Sequence, residues 1–355
     1  MSRVSAALLL AELPYRDPAW VYDLLRQRAE TVATATEDDV DTEGEALLLA
    51  RGDPLITLAL ARFSLDGDRV AELFQRGGDL RTVALTNRAW YFTRLMRSLP
   101  GMLFEDDEHR CATWLAEAPE IDLLALFENS TLDDDVAARV VLGQQPYELV
   151  SDAQRIRAVW GLSNNPGLVA GALPEAQVSI GPAARAALWR AAASVEPSAG
   201  WAMALAAAYE NLEPDGRALD DPLAVADRWG EDGPHSTSFP RLTVRMHLVR
   251  MVLEASGRGL PELLASPDSA HRAAGLRWGA VSPEHIQTAI EQDAVFAVEH
   301  LVKNVRFWRE AADRQALWDW CVQANERTSG YLRPTDTFKE AARWFRVRHP
   351  AWFGR

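Results

Sequence analysis

Apolar residues recur along this chain at intervals of three and four. Leu55, Leu58, Ala59 and Phe63 follow that spacing, as do Val70, Leu73 and Phe74. It places them on one stripe of a helix, whereas a half-buried strand would alternate at two. Alternating β-branched runs are scarce, and a candidate such as 242–252 carries Arg245, His247 and Arg250 at spacings a helix tolerates better. The pattern predicts an all-α chain.

Its punctuation is a capping side chain followed by proline at the first helical position. The cap oxygen accepts from an otherwise unpaired amide, and proline has no N–H to leave unpaired there. Asp17-Pro18, Asp53-Pro54, Asp221-Pro222, Ser266-Pro267 and Ser282-Pro283 fit this rule, with Gly181-Pro182 as a weaker version. Two stretches without periodicity, Glu30–Gly44 and Trp229–Pro240, read as loops. The expected organisation is N-terminal helical repeats over 1–228, a loop or hinge over 229–240, and C-terminal helical repeats over 241–355 ending in a cap helix.

A weak self-similarity runs at about 25 residues. The phrase beginning at Asp53 starts again at Asp79, and one beginning at Asp268 starts again at Asp293; Ser151–Pro166 reads as a degenerate copy. A pair of short helices of this size cannot bury its own apolar face and becomes stable by stacking on its neighbours. The expected architecture is an α-solenoid of short stacked helix pairs, a HEAT-like superhelix. Small residues such as Ala59, Ala61, Ala84, Ala273 and Ala274 would let neighbouring helices approach closely.

These phrases resemble the leucine-rich-repeat variant and HEAT-like families, whose units alternate a short helix with a longer one and open on a similar Asp-Pro phrase. The resemblance covers residues 45 to 170 and 260 to 325. It implies a protein-binding scaffold. Some members of the variant family hold an iron–sulfur centre in a cysteine cluster; only Cys111 and Cys321 occur here, far apart, so that cofactor does not carry over. Alkylpurine DNA glycosylases resemble the same architecture and use Trp and Asp residues in a concave basic groove, which makes a nucleic-acid enzyme the alternative.

Charge weighs against that alternative. The 37 Lys and Arg against 51 Asp and Glu give a net charge of −14, which repels a phosphate backbone unless cations are gathered locally. They are gathered at one end. From Lys303 onward eleven Lys or Arg face six Asp or Glu, a charge of +5 that leaves −19 for residues 1 to 302. The last segment interleaves Arg343, Arg346 and Arg348 with Trp344 and Trp352, and these five residues are the candidate binding set. As a terminal capping helix the same segment would instead bury Phe338, Ala341, Ala342 and Phe345 and leave its arginines solvated or paired with the acidic body.

No other feature fixes a chemistry. The run Asp133-Asp134-Asp135 and the cluster Glu105–His109 read as acidic helix starts. His271, His285 and His300 fall in successive segments without metal-ligand spacing. A nucleophile elbow, a phosphate loop and a dinucleotide fingerprint are lacking. The expectation is a noncatalytic scaffold or adaptor, with no catalytic residue, cofactor or metal. Its partner is another protein, with the basic C-terminal segment as the one route to nucleic acid. A regulatory subunit of a larger complex is a further alternative. Two cysteines without a disulfide framework, no secretory leader, and Ala-rich residues 182–209 broken by Arg185, Arg190 and Glu196 suit a cytoplasmic protein with no membrane partner.

Overall fold

The computed structural model describes residues 16–30, 42–87, 107–129, 132–165, 168, 180–230, 239–256, 260–328 and 333–354. Among them are twenty α-helices and no strand. Contacts divide the chain into two units, residues 1–194 with 210–212, and residues 195–209 with 213–355.

The first unit holds α1 (Pro18–Glu30), α2 (Thr42–Ala50), α3 (Pro54–Phe63), α4 (Gly67–Gln75) and α5 (Gly78–Ala84). It continues with α6 (Asp107–Glu117), α7 (Glu120–Glu128), α8 (Asp134–Leu142), α9 (Asp152–Asn164) and α10 (Pro182–Ser194). Each odd-numbered helix from α1 to α7 packs on the next odd one, and α8 packs on α10. Small residues permit this approach. Ala59, Ala61 and Ala84 are buried, and a Cβ added at Gly161 of α9 would stand 2.6 Å from Phe127 Cβ of α7. That is too close for any side chain, so the α7–α9 spacing depends on glycine.

The second unit holds α11 (Ala199–Tyr209), α12 (Pro222–Arg228), α13 (Phe239–Ser256), α14 (Leu260–Leu264) and α15 (Ser269–Trp278). After these come α16 (Pro283–Gln292), α17 (Ala294–Leu301), α18 (Arg306–Arg309), α19 (Ala311–Arg327) and α20 (Pro334–Arg348). Here α11, α13, α15, α17 and α19 form one row in sequence order, and α12, α14, α16 and α18 each lean on the row helix that follows. Burial of Ala273 and Ala274 in α15 fits that close stacking. Within each unit, neighbouring helices thus pack in the order of the chain, as in a solenoid.

Cap–proline chemistry starts these helices much as the sequence predicts. Asp53 Oδ1 accepts from the amides of Leu55 (2.9 Å) and Ile56 (3.2 Å), and Asp17, Asp221 and Ser282 cap α1, α12 and α16 in the same way. Each such cap stabilises its helix by about 1 kcal/mol. Ser266-Pro267 is an exception. The helix begins two residues later, with Asp268 accepting from the Ala270 amide, while Ser266 Oγ accepts from the Asp268 amide and shapes the turn before it. At Gly181-Pro182 the cap comes from a different helix: Asp134 accepts from the amides of Ala183 (2.8 Å) and Ala184 (2.9 Å) through its two oxygens. A Cβ on Gly181 would lie 2.2 Å from the Asp134 carboxyl carbon, so glycine is what lets that carboxylate in.

Of the two predicted loops, residues 31–41 and 231–238 lie outside the described residues. Trp229 and Gly230 lie outside any helix, whereas the other flanks are helical: Glu30 ends α1, Thr42–Gly44 open α2, and Phe239 and Pro240 open α13.

One polar device recurs three times. Asn87, which follows α5, donates to Ala61 O (3.2 Å) and Ser64 O (3.1 Å) at the end of α3. Asn165, after α9, donates to Phe127 O (3.5 Å) and Glu128 O (2.7 Å) at the end of α7. Asn304, after α17, donates to Leu276 O (2.9 Å) and Gly279 O (3.0 Å) at the end of α15. All three asparagines are buried. Each gives its two amide hydrogens to carbonyls that a helix C-terminus cannot satisfy itself. The row helices are thereby tied end to end as well as packed side to side.

Candidate functional site

The predicted binding residues lie on α20 and the short 3₁₀ turn Pro350–Phe353 that follows it. The inner face of α20 closes the second unit's row. Phe345, 3% exposed, stacks on Trp308 with ring centroids 5.0 Å apart, and Phe338 meets the same indole at 5.0 Å. Trp308 is fully buried and donates its Nε1–H to Val302 O at 2.8 Å, so its one polar atom is satisfied inside the core. Ala341 and Ala342 pack against this cluster. The capping role and the exposed basic face therefore coexist on one helix.

The outer face is aromatic and cationic. Trp344 is 47% exposed and Val347 82% exposed. The Arg348 guanidinium carbon sits 4.0 Å from the centroid of the Trp344 indole, Arg346 lies over Phe353 at 5.3 Å, and Arg309 over Trp352 at 5.9 Å. His349 stacks on Trp352 with centroids 3.9 Å apart and planes within 10°. Arg343 is exposed without a ring partner. Among the described residues none of Arg309, Arg343, Arg346 and Arg348 forms an ion pair. Arg348 is partly desolvated, which lowers its pKa without discharging it. Arg309, Arg346 and Arg348 are thus held against rings, and all four arginines are left without a carboxylate.

A second cluster, on the row helices of the same unit, was not marked in the sequence. His247 of α13 is 1% exposed, and neither ring nitrogen has a hydrogen-bond partner. Its ring lies between Trp278 of α15, centroids 4.8 Å apart, and Tyr209 of α11 at 6.0 Å. The guanidinium carbons of Arg277 and Arg250 stand 4.9 Å and 5.0 Å from that Trp278 ring. Burial, then Arg277, Arg250 and Lys303, pushes the His247 pKa far below its usual value. Burial followed by Arg277 and Lys303 brings His300 down to about 3. Both imidazoles are neutral near pH 7 and pack as aromatics. Only a three-dimensional contact reveals this, because the rings that bury His247 come from two other helices.

The remaining candidates have structural partners. Asp134 caps α10, as above. Glu108 accepts two bonds from Arg139, both 2.8 Å, whereas Glu105 and Asp106 lie outside the described residues. His271 Nδ1 shares a hydrogen bond with Ser266 Oγ, and His285 Nδ1 accepts from the Ser282 amide in a capping box. Cys321 is buried, and its thiol is pushed up to about 12, which keeps it protonated and unreactive near neutrality. No helix of the described residues is long and apolar enough to cross a membrane.

Comparison with known proteins adds no relative: no family model, no curated protein and no solved structure matches the chain.

Proposed function

We propose that this chain is a noncatalytic interaction protein that holds a partner protein on the outer face of α20. The observation that carries the reading is the set of arginines ordered against aromatic rings without a carboxylate partner, beside an exposed Trp344 and Val347. Arginine and tryptophan are the residues that dominate binding energy at protein interfaces, and a guanidinium already fixed on a ring loses little conformational freedom when a carboxylate docks. The favoured partner surface is acidic with an apolar anchor. A short acidic segment can engage the cationic face of α20 alone. Duplex nucleic acid carries a charge about every 1.7 Å, and the net −19 of residues 1 to 302 disfavours it.

The test is capture of partners from the native host by the full chain and by a variant combining Trp344→Ala, Arg343→Gln and Arg346→Gln. These side chains are exposed, so the variant keeps its thermal midpoint. A partner retained by the wild type and lost by the variant supports the reading. Equal capture by both, or no stable partner under any condition, overturns it. The second reading, nucleic acid on the same cationic face, rests on the same unpaired arginines. Salt-dependent binding of duplex DNA, lost in that variant, would replace the protein partner with it.

A further inference from the structure

The second unit contains a cleft apart from the α20 face. Its volume is about 610 Å³, inside the range of roughly 300–1,000 Å³ usual for small-molecule sites. One wall is α14 and the turn after it, and the others are α15, α16 and the start of α17. Leu264, Leu276, Ala289 and Phe296 give it an apolar lining.

Its polar lining includes Arg272 and His285. Arg272 holds its guanidinium carbon 5.6 Å from the centroid of the Phe296 ring. Through Nη1 it donates to Ser266 O (2.8 Å) and Pro267 O (2.7 Å), which fixes the side chain in position. Among the described residues it has no ion pair, so its guanidinium is not engaged by a carboxylate. His285 Nδ1 accepts from the Ser282 amide, which leaves Nε2–H as the ring's donor. Gln292 is a further lining residue. Asp293 is the only carboxylate among the lining residues, and its Oδ1 is committed to the Phe296 amide at 3.1 Å as the cap of α17.

We propose that this cleft binds a small organic anion, a carboxylate carried on a flat apolar body. The carboxylate would meet Arg272 and His285, and the body would lie among Phe296, Leu276 and Leu264. A guanidinium already held by two backbone carbonyls keeps further N–H groups for a ligand. The adjoining ring offers a face for flat apolar surface.

The probe is naphthalene-2-carboxylate, titrated calorimetrically into the full chain beside the neutral naphthalene-2-carboxamide. The carboxylate is expected to bind at least tenfold more tightly. Arg272→Gln is expected to remove that preference and leave the amide's affinity as it was. Ala289→Trp, which fills the cleft without touching the Arg272 carbonyl bonds, is expected to abolish binding of both. Ring resonances of His285 and Phe296 should shift on binding in the unmodified chain, which locates the ligand even where Arg272→Gln folds poorly. Equal affinity for the two probes, no binding of either at millimolar concentration, or binding that survives Ala289→Trp would each overturn the proposal. The last outcome would place the anion elsewhere, the arginines of α20 included.

Discussion

Replacing Asn304 by Ala should cost about 2–4 kcal/mol. The side chain is buried, and its amide satisfies Leu276 O at 2.9 Å and Gly279 O at 3.0 Å. A lost hydrogen bond that leaves a buried acceptor unpaired costs about 1–3 kcal/mol, and two such bonds are lost here along with the one Oδ1 accepts from the Arg306 amide. The cavity adds little, because an amide group is small. Asn304→Asp separates the donor argument from the packing argument. Aspartate keeps the volume but, when ionised, only accepts, so it would turn an oxygen toward two carbonyl oxygens. It should therefore be at least as damaging as alanine. The assay is guanidinium unfolding followed by far-UV circular dichroism, with amide exchange across residues 269–310 to localise the change. If Asn304→Asp falls within about 0.5 kcal/mol of the wild type, as surface substitutions do, the donor reasoning is wrong. Asn87→Ala, in the other unit and sharing no partner with Asn304, should add to it within about 0.5 kcal/mol.

Other perturbations test other parts of the structure. The His300 pKa is lowered to about 3 from its usual 6.5, so below pH 6.5 the unfolded chain binds a proton that the folded one refuses. The stability this group supports is complete above pH 6.5 and declines as the pH falls toward 3. His300→Leu should lose about 2 kcal/mol less than the wild type between pH 7 and pH 5, as chemical unfolding at each pH would show; an identical decline would contradict the assignment. Asp134→Ala should destabilise by about 1–2 kcal/mol and speed amide exchange at Ala183 and Ala184, the donors it caps. Phe345→Ala should cost about 3–5 kcal/mol, since it empties a buried site against Trp308. Trp344→Ala, one residue earlier on the exposed face, should leave the thermal midpoint nearly unchanged.

The helical class and most helix starts were legible because their causes are local. Asp53 and the amides it accepts from lie within three residues of one another. The inner face of α20 was legible for a similar reason: Phe338, Ala341, Ala342 and Phe345 follow a three-four spacing and do pack inward. What escaped the sequence depends on residues far apart along the chain. Asp134 reads as an acidic first turn of its own helix, yet it caps α10 across 49 and 50 residues. His247 reads as one polar position among several on α13 until Tyr209 and Trp278 close around it. Asparagine at the end of a helix ordinarily serves that same helix, so Asn87, Asn165 and Asn304 gave little sign of reaching back to an earlier one. A faint signal did exist: each stands two or three residues after a buried leucine, Leu85, Leu162 and Leu301. The C-terminal arginines were visible from composition, whereas their stacking on rings in place of acidic partners was not.

Backward-reaching asparagines also bear on how the chain is made. Ala61 and Ser64 must wait 26 and 23 residues for Asn87, and Leu276 and Gly279 wait 28 and 25 for Asn304. At translation rates of about 5–20 residues per second, a row helix leaves the ribosome with two bare carbonyls for about one to five seconds. Each segment is thus finished by its successor, and a stalled ribosome would strand the last row helix with its end unsealed.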